Sequence, residues 1–86
     1  MKNTFMLIFE NRKTKETVDI EVPKNITANE LVMALNKGFR LGLDMNNPAK
    51  CFLRAKNPIA LIRGDMLLEE YHLHDGSIIW YGEDER

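Results

Sequence analysis

The stretch Leu68–Ile79, with the sequence LEEYHLHDGSII, decides the fold of this chain. Its first part, together with the preceding Leu67, supplies apolar side chains over a length that suits one helical turn. Asp75-Gly76 is a strong turn signal, and the apolar run Ser77–Tyr81 after it predicts a strand. We therefore expect a short helical turn, a tight turn and then a strand.

Two strands and one helix are predicted upstream of this stretch. Thr4–Phe9 is short, apolar and rich in aromatic residues, and Thr17–Val22 alternates apolar and polar side chains with the period of a strand. Thr27–Glu30 matches a capping box. Apolar side chains at helical spacing then predict a helix over Ala28–Leu41, with Gly42 as its left-handed cap.

Two further short strands, at Cys51–Ala55 and Ile59–Ile62, complete the predicted order β-β-α-β-β-β. The expected fold class is therefore α+β, with a mixed sheet of four to five strands packed on one α-helix. One helix covers only one face of such a sheet. The other face must meet water or a partner.

Composition narrows the functional classes. Eighty-six residues predict a single domain over 1–86, with residues 83–86 as a frayed tail. Twelve Lys and Arg against 13 Asp and Glu give a net charge of -1, without the basic excess typical of nucleic-acid binders. The single cysteine favours the cytoplasm, and no apolar run has the length of a membrane span. We expect neither nucleic-acid binding nor direct membrane insertion.

The stretch at 68–79 resembles the ubiquitin-like signature Leu-x-x-Tyr-x-Ile/Leu-x-x-Gly-Ser-x-Ile/Leu. Together with the element order, it is similar to the ubiquitin-like β-grasp fold over nearly the whole chain. The resemblance implies that Leu68, Leu73, Ile79 and Tyr81 point towards the helix.

Within that fold the chain is most similar to the YukD/EsaB family, stand-alone ubiquitin-like proteins of type VII secretion systems in Gram-positive bacteria. The shared features are the size, the strand-rich start at Thr4 and the stretch Ala60–Asp65 leading into Leu68. Membership implies a non-catalytic cytoplasmic accessory or regulatory factor. Its partner would be the secretion-machine ATPase or a membrane component of that machine.

The chain departs from ubiquitin at its end. Conjugation requires a flexible C-terminal Gly-Gly, whereas this sequence ends in YGEDER with the single glycine Gly82. We therefore expect that the protein is not conjugated and is no sulfur carrier.

The sequence carries no legible catalytic, cofactor or metal site. His72 and His74 would point the same way on an extended segment, but a metal needs a third ligand, and neither Cys51 nor Glu69 has a supporting position. Cys51 has no base beside it and is interpreted as a small buried hydrophobe. We expect an interaction protein rather than an enzyme.

The first and the last predicted strands, which lie side by side at the centre of β-grasp sheets, carry more apolar side chains than one face can bury. This apolar surplus indicates an interaction surface. Both strands are apolar on both faces, so one set of side chains is left outside the core. We expect the outer face to be built from Trp80, Ile78, Phe5, Leu7, Phe9 and Arg54, with Trp80 as the anchor. A shift of one residue in the first strand would exchange its three residues for Met6 and Ile8.

Other interpretations remain open at this point. The outer face suits a homodimer as well as a protein partner. A small ubiquitin-like non-catalytic subunit of a multicomponent oxygenase would have the same fold. The basic hairpin tip Arg12–Lys15 is interpreted as a solvated loop, because Glu10 and Glu16 flank it and no aromatic residue is interleaved.

Overall fold

The computed structural model describes residues 3–47, 51–56 and 58–82, with the predicted order of strands around one α-helix. The elements are β1 (Thr4–Asn11), β2 (Glu16–Pro23), α1 (Ala28–Phe39), β3 (Leu53–Lys56), β4 (Ala60–Ile62), a 3-10 turn (Leu68–Tyr71) and β5 (Ile78–Tyr81). The tail predicted at 83–86 lies outside the described residues.

The strands form a mixed sheet in the order β2-β1-β5-β3-β4. At its centre β1 and β5 are parallel, and the other neighbouring strands are antiparallel. The prediction of an α+β ubiquitin-like fold is confirmed, as is the central position of β1 and β5. The two chain segments that flank the helix therefore meet in the middle of the sheet.

The core lies between α1 and one face of this sheet. The helix buries Ala28, Leu31, Val32 and Leu35. The sheet contributes Leu53 and the 0% exposed Ile79, among others. Leu68 and Leu73 are buried in the same cluster and Tyr81 packs against it, so the orientation implied by the signature is correct.

The expected outward position of three β1 residues is wrong. Phe5, Leu7 and Phe9 face the helix and are 5%, 0% and 1% exposed, whereas Met6 and Ile8 lie on the outer face. Two phenylalanines and a leucine offer more apolar area for burial than the alternate set, so the larger set occupies the core. The one-residue exchange considered from the sequence is the one that the structure shows.

The N-terminus of α1 is satisfied by hydrogen bonds from two directions. The capping box is present: the Glu30 N–H donates to Thr27 Oγ1 at 3.1 Å, and the Thr27 N–H donates to Glu30 Oε1 at 2.9 Å. The Ala28 and Asn29 N–H groups donate to the carbonyls of Met66 and Gly64. These bonds account for three helical donors that have no partner within the helix.

The helix ends at Phe39, two residues before the predicted end. Arg40 is the left-handed cap, with φ 55° and ψ 54°, although Gly42 also has a positive φ. The reason lies at Asn36, whose carboxamide donates to the Leu43 carbonyl and accepts from the Leu43 N–H. These two hydrogen bonds turn the chain back on the helix before another turn can form.

None of the helices within the described residues is long and apolar enough to cross a membrane.

Two tyrosine hydroxyls donate hydrogen bonds to backbone carbonyls outside their own secondary-structure elements. Tyr71 Oη donates to the Arg63 carbonyl at 2.9 Å, and Tyr81 Oη donates to the Leu41 carbonyl at 2.7 Å. The second bond ties β5 to the chain that follows α1. It fixes the end of β5, where the candidate site lies.

Thr27→Ala is expected to lower the free energy of unfolding by about 1 kcal/mol, because the Glu30 N–H loses its side-chain acceptor. Thr27→Ser keeps a hydroxyl in the same place and is expected to retain most of the stability. Urea unfolding followed by circular dichroism measures both variants. Equal losses in the two would show that the cap is not the cause.

Candidate interaction face

The outer face of the sheet brings together three of the six residues predicted for the interaction surface. Across the central strands Arg54 of β3 lies beside Trp80 of β5, and Ile78 occupies the adjoining outward position on β5. Ile8 of β1 lies beside Ile78. Phe5, Leu7 and Phe9 are not part of this face, and Ile8 and Met6 take their place.

Charge changes sign across this face. On the β2 side, Asp19 lies beside Ile8 and Glu21 beside Met6. On the β3 side, Lys56 lies beside Ile78, next to Arg54. The outer face therefore has an acidic side, an apolar centre and a basic side.

Two arginine guanidinium groups lie close to the Trp80 ring. The Arg12 guanidinium stacks over its indole at 3.7 Å from the ring centroid, and the Arg54 guanidinium lies 5.6 Å from it. Arg12 also pairs with Glu10, with 3.4 Å between Nε and Oε1. The Arg12 N–H donates to the Tyr81 carbonyl at 2.8 Å, which extends the β1–β5 pairing into the hairpin. That backbone bond brings Arg12 to Trp80.

A groove opens beside Trp80 where β5 ends; we call it the basic groove. It lies between the β1–β2 hairpin, the segment after α1 and the start of β3. Its lining residues are Arg12, Lys13, Lys15, Gly42, Leu43, Asp44, Phe52, Arg54, Trp80, Tyr81 and Gly82. Four of them are cations, and Asp44 is the one carboxylate in this lining.

The interpretation of the hairpin tip as a solvated loop misses this groove. Lys13 Nζ lies 5.4 Å from the Tyr81 ring centroid, and Arg12 stacks on Trp80. The aromatic partners come from β5, almost seventy residues along the chain. These contacts follow from the β1–β5 register, which sets Asn11 beside Tyr81. No local sequence pattern predicts that register.

The two histidines are exposed, whereas the cysteine is buried. His72 is the left-handed residue that ends the 3-10 turn, so the extended His-x-His arrangement is not formed. His74 Nδ1 lies 2.9 Å from the Asp75 carbonyl oxygen. Cys51 is buried, as expected, and its thiol donates to the Asp44 carbonyl. Within 3–47, 51–56 and 58–82, no three metal-ligating side chains come together.

Comparison with known proteins decides the family. The family model described as "WXG100 protein secretion system (Wss), protein YukD" matches residues 8–80. The chain belongs to the YukD family. It is therefore a ubiquitin-like accessory of a secretion system, and proteins with this fold in this family are generally non-catalytic. A search of curated proteins found no match.

Solved ubiquitin-like structures share the fold of this YukD-family protein. The ubiquitin-like domain of yeast Ddi1 has 23% identity and a TM-score of 0.65, covering 92% of this chain and 90% of that chain. The C-terminal ubiquitin-like domain of mouse tubulin-specific chaperone e has 11% identity and a TM-score of 0.66, covering 98% of this chain and 92% of that chain. At these identities the likeness shows the fold alone.

The two faces of β1 are expected to differ strongly in their contribution to stability. Leu7→Ala should lower the free energy of unfolding by about 2–5 kcal/mol, since it opens a cavity in the core. Met6→Ala, at a side chain that is 38% exposed, should cost less than about 1 kcal/mol. Urea unfolding followed by tryptophan fluorescence compares the two. A larger loss for Met6→Ala would contradict the inward orientation of Leu7.

Proposed function

We propose that this YukD-family protein is a non-catalytic docking module of a bacterial type VII secretion system. It acts in the cytoplasm as one ubiquitin-like domain, and it binds the secretion ATPase or a membrane component of the machine through the outer face of its sheet. The observation that supports this most is the Trp80 neighbourhood on that face. There an apolar centre of Ile8 and Ile78 adjoins Trp80 and two arginines.

The composition of this face suits protein recognition. Tryptophan and arginine are enriched among the residues that contribute most to binding at interfaces. Trp80 is half-buried and its ring is oriented by Arg12, so little side-chain freedom is lost when a partner covers it. Because α1 packs on the opposite face, docking here leaves the core undisturbed.

We further propose that the partner is held without conjugation. A structural role accounts for Gly82: its φ is +99°, and a Cβ at this position would lie 3.3 Å from the Lys13 backbone nitrogen. The glycine therefore serves the close approach of β5 to the hairpin. This use of the residue differs from that of a glycine that presents a reactive carboxylate.

Affinity capture from the native host tests the docking face. Trp80→Ser is expected to retain about one-tenth or less of the secretion ATPase and membrane components captured by the wild type, because it removes the interface anchor. Met33→Ser removes an exposed apolar side chain from α1, on the opposite side of the sheet; it is the control and should capture as the wild type does. Mass spectrometry quantifies the retained proteins, and circular dichroism checks the fold.

Equal capture by wild type and Trp80→Ser would contradict this docking face. Loss of the native fold in Trp80→Ser would place the indole in a structural role. Recovery of oxygenase subunits in place of secretion components would assign the protein to an enzyme complex instead.

A further inference from the structure

The basic groove has a charge that the chain as a whole lacks. The protein carries a net charge of -1, yet four cations line the groove: Arg12, Lys13, Lys15 and Arg54. Asp44 is the one carboxylate of the lining, and Glu10 pairs with Arg12, so positive charge remains in excess there. Like charges gathered in one concave site raise the local concentration of oppositely charged groups. The groove therefore favours an acidic ligand.

Arg54 is placed so that it can bind a carboxylate. Arg54 lies between two aromatic rings, 5.4 Å from the Phe52 centroid and 5.6 Å from that of Trp80. Within the described residues, Arg54 has no ion pair with an acidic side chain. A guanidinium that lies over a ring keeps its N–H edge available for two parallel bonds to a carboxylate.

Apolar surface accompanies these charges. The rings of Phe52, Trp80 and Tyr81 line the same groove, together with Leu43. A ligand that matches the groove must therefore combine carboxylates with apolar side chains. A peptide segment that alternates acidic and apolar residues has both.

We infer that the basic groove binds an acidic segment of a partner protein, with a carboxylate at Arg54 and an apolar side chain beside Trp80. This inference rests on the proposed docking function and names the chemistry of the partner. Single-stranded nucleic acid fits less well. Its bases would need an uncovered ring on which to stack, and Arg12 already lies 3.7 Å from the Trp80 centroid.

Fluorescence titration tests whether the basic groove binds an acidic peptide. The chain has a single tryptophan, which lines the groove, so its emission reports binding there. The probes are a short peptide of alternating glutamate and leucine and the same peptide with glutamine in place of each glutamate. The glutamate peptide is expected to bind about tenfold more tightly or better, and its affinity should fall as salt is added.

Charge reversal provides the matched comparison. Arg54→Glu is expected to weaken binding of the glutamate peptide about tenfold or more. Lys37→Glu makes the same change of charge at an exposed position on α1, and it should leave the affinity within about twofold of the wild type because solvent screens distant charges. Should Arg54→Glu fail to fold by circular dichroism, Arg54→Gln removes the same contact without adding a charge.

Equal binding of the two peptides, or binding indifferent to the Arg54 variants, would overturn the inference. So would tighter binding of a short oligothymidylate than of the glutamate peptide. Dimerisation in sedimentation experiments that is lost in Arg54→Glu would assign the basic side of the face to the acidic side of a second copy. If the peptide fails while Trp80→Ser still loses the secretion components, the docking face stands and only the acidic partner falls.

Discussion

The parallel pairing of β1 with β5 is the contact on which the rest of this structure depends. It is held at several points: the Met6 N–H donates to Asp75 Oδ1, the Ile8 N–H to the Ser77 carbonyl and the Arg12 N–H to the Tyr81 carbonyl. Because side chains alternate along a strand, this one register determines both faces at once. It sets Phe9 beside Ile79 in the core and Ile8 beside Ile78 on the outer face.

Much of the fold was predictable because its signals are local. The capping box that starts α1 lies within four residues, and Asp75-Gly76 marks the turn before β5. The end of the helix was not predictable in the same way. It depends on the carboxamide of Asn36 meeting the backbone of Leu43, a contact seven residues apart that competes with a further helical turn.

In the candidate face, some residues follow from sequence patterns and others do not. Ile78 and Trp80 could be placed because the ubiquitin-like signature implies that Ile79 and Tyr81 face the helix, and Arg54 because it alternates with apolar residues in its predicted strand. In β1 both alternating sets are apolar, so periodicity cannot decide which one is buried; the difference in buried area decides it. The basic groove could not be predicted from the sequence, because the cations of the hairpin meet their aromatic partners only through the pairing of β1 with β5.

The central position of β5 also has a consequence for protein synthesis. β5 follows every other described element in the chain, yet it lies between β1 and β3, so neither of these inner strands has its full set of partners until β5 has left the ribosome. The N-terminus of α1 likewise waits for the carbonyls of Gly64 and Met66. Until then the nascent chain exposes β1 with apolar side chains on both sides, a segment prone to pair with other strands. The sheet of this domain is therefore completed only when its last strand has been made.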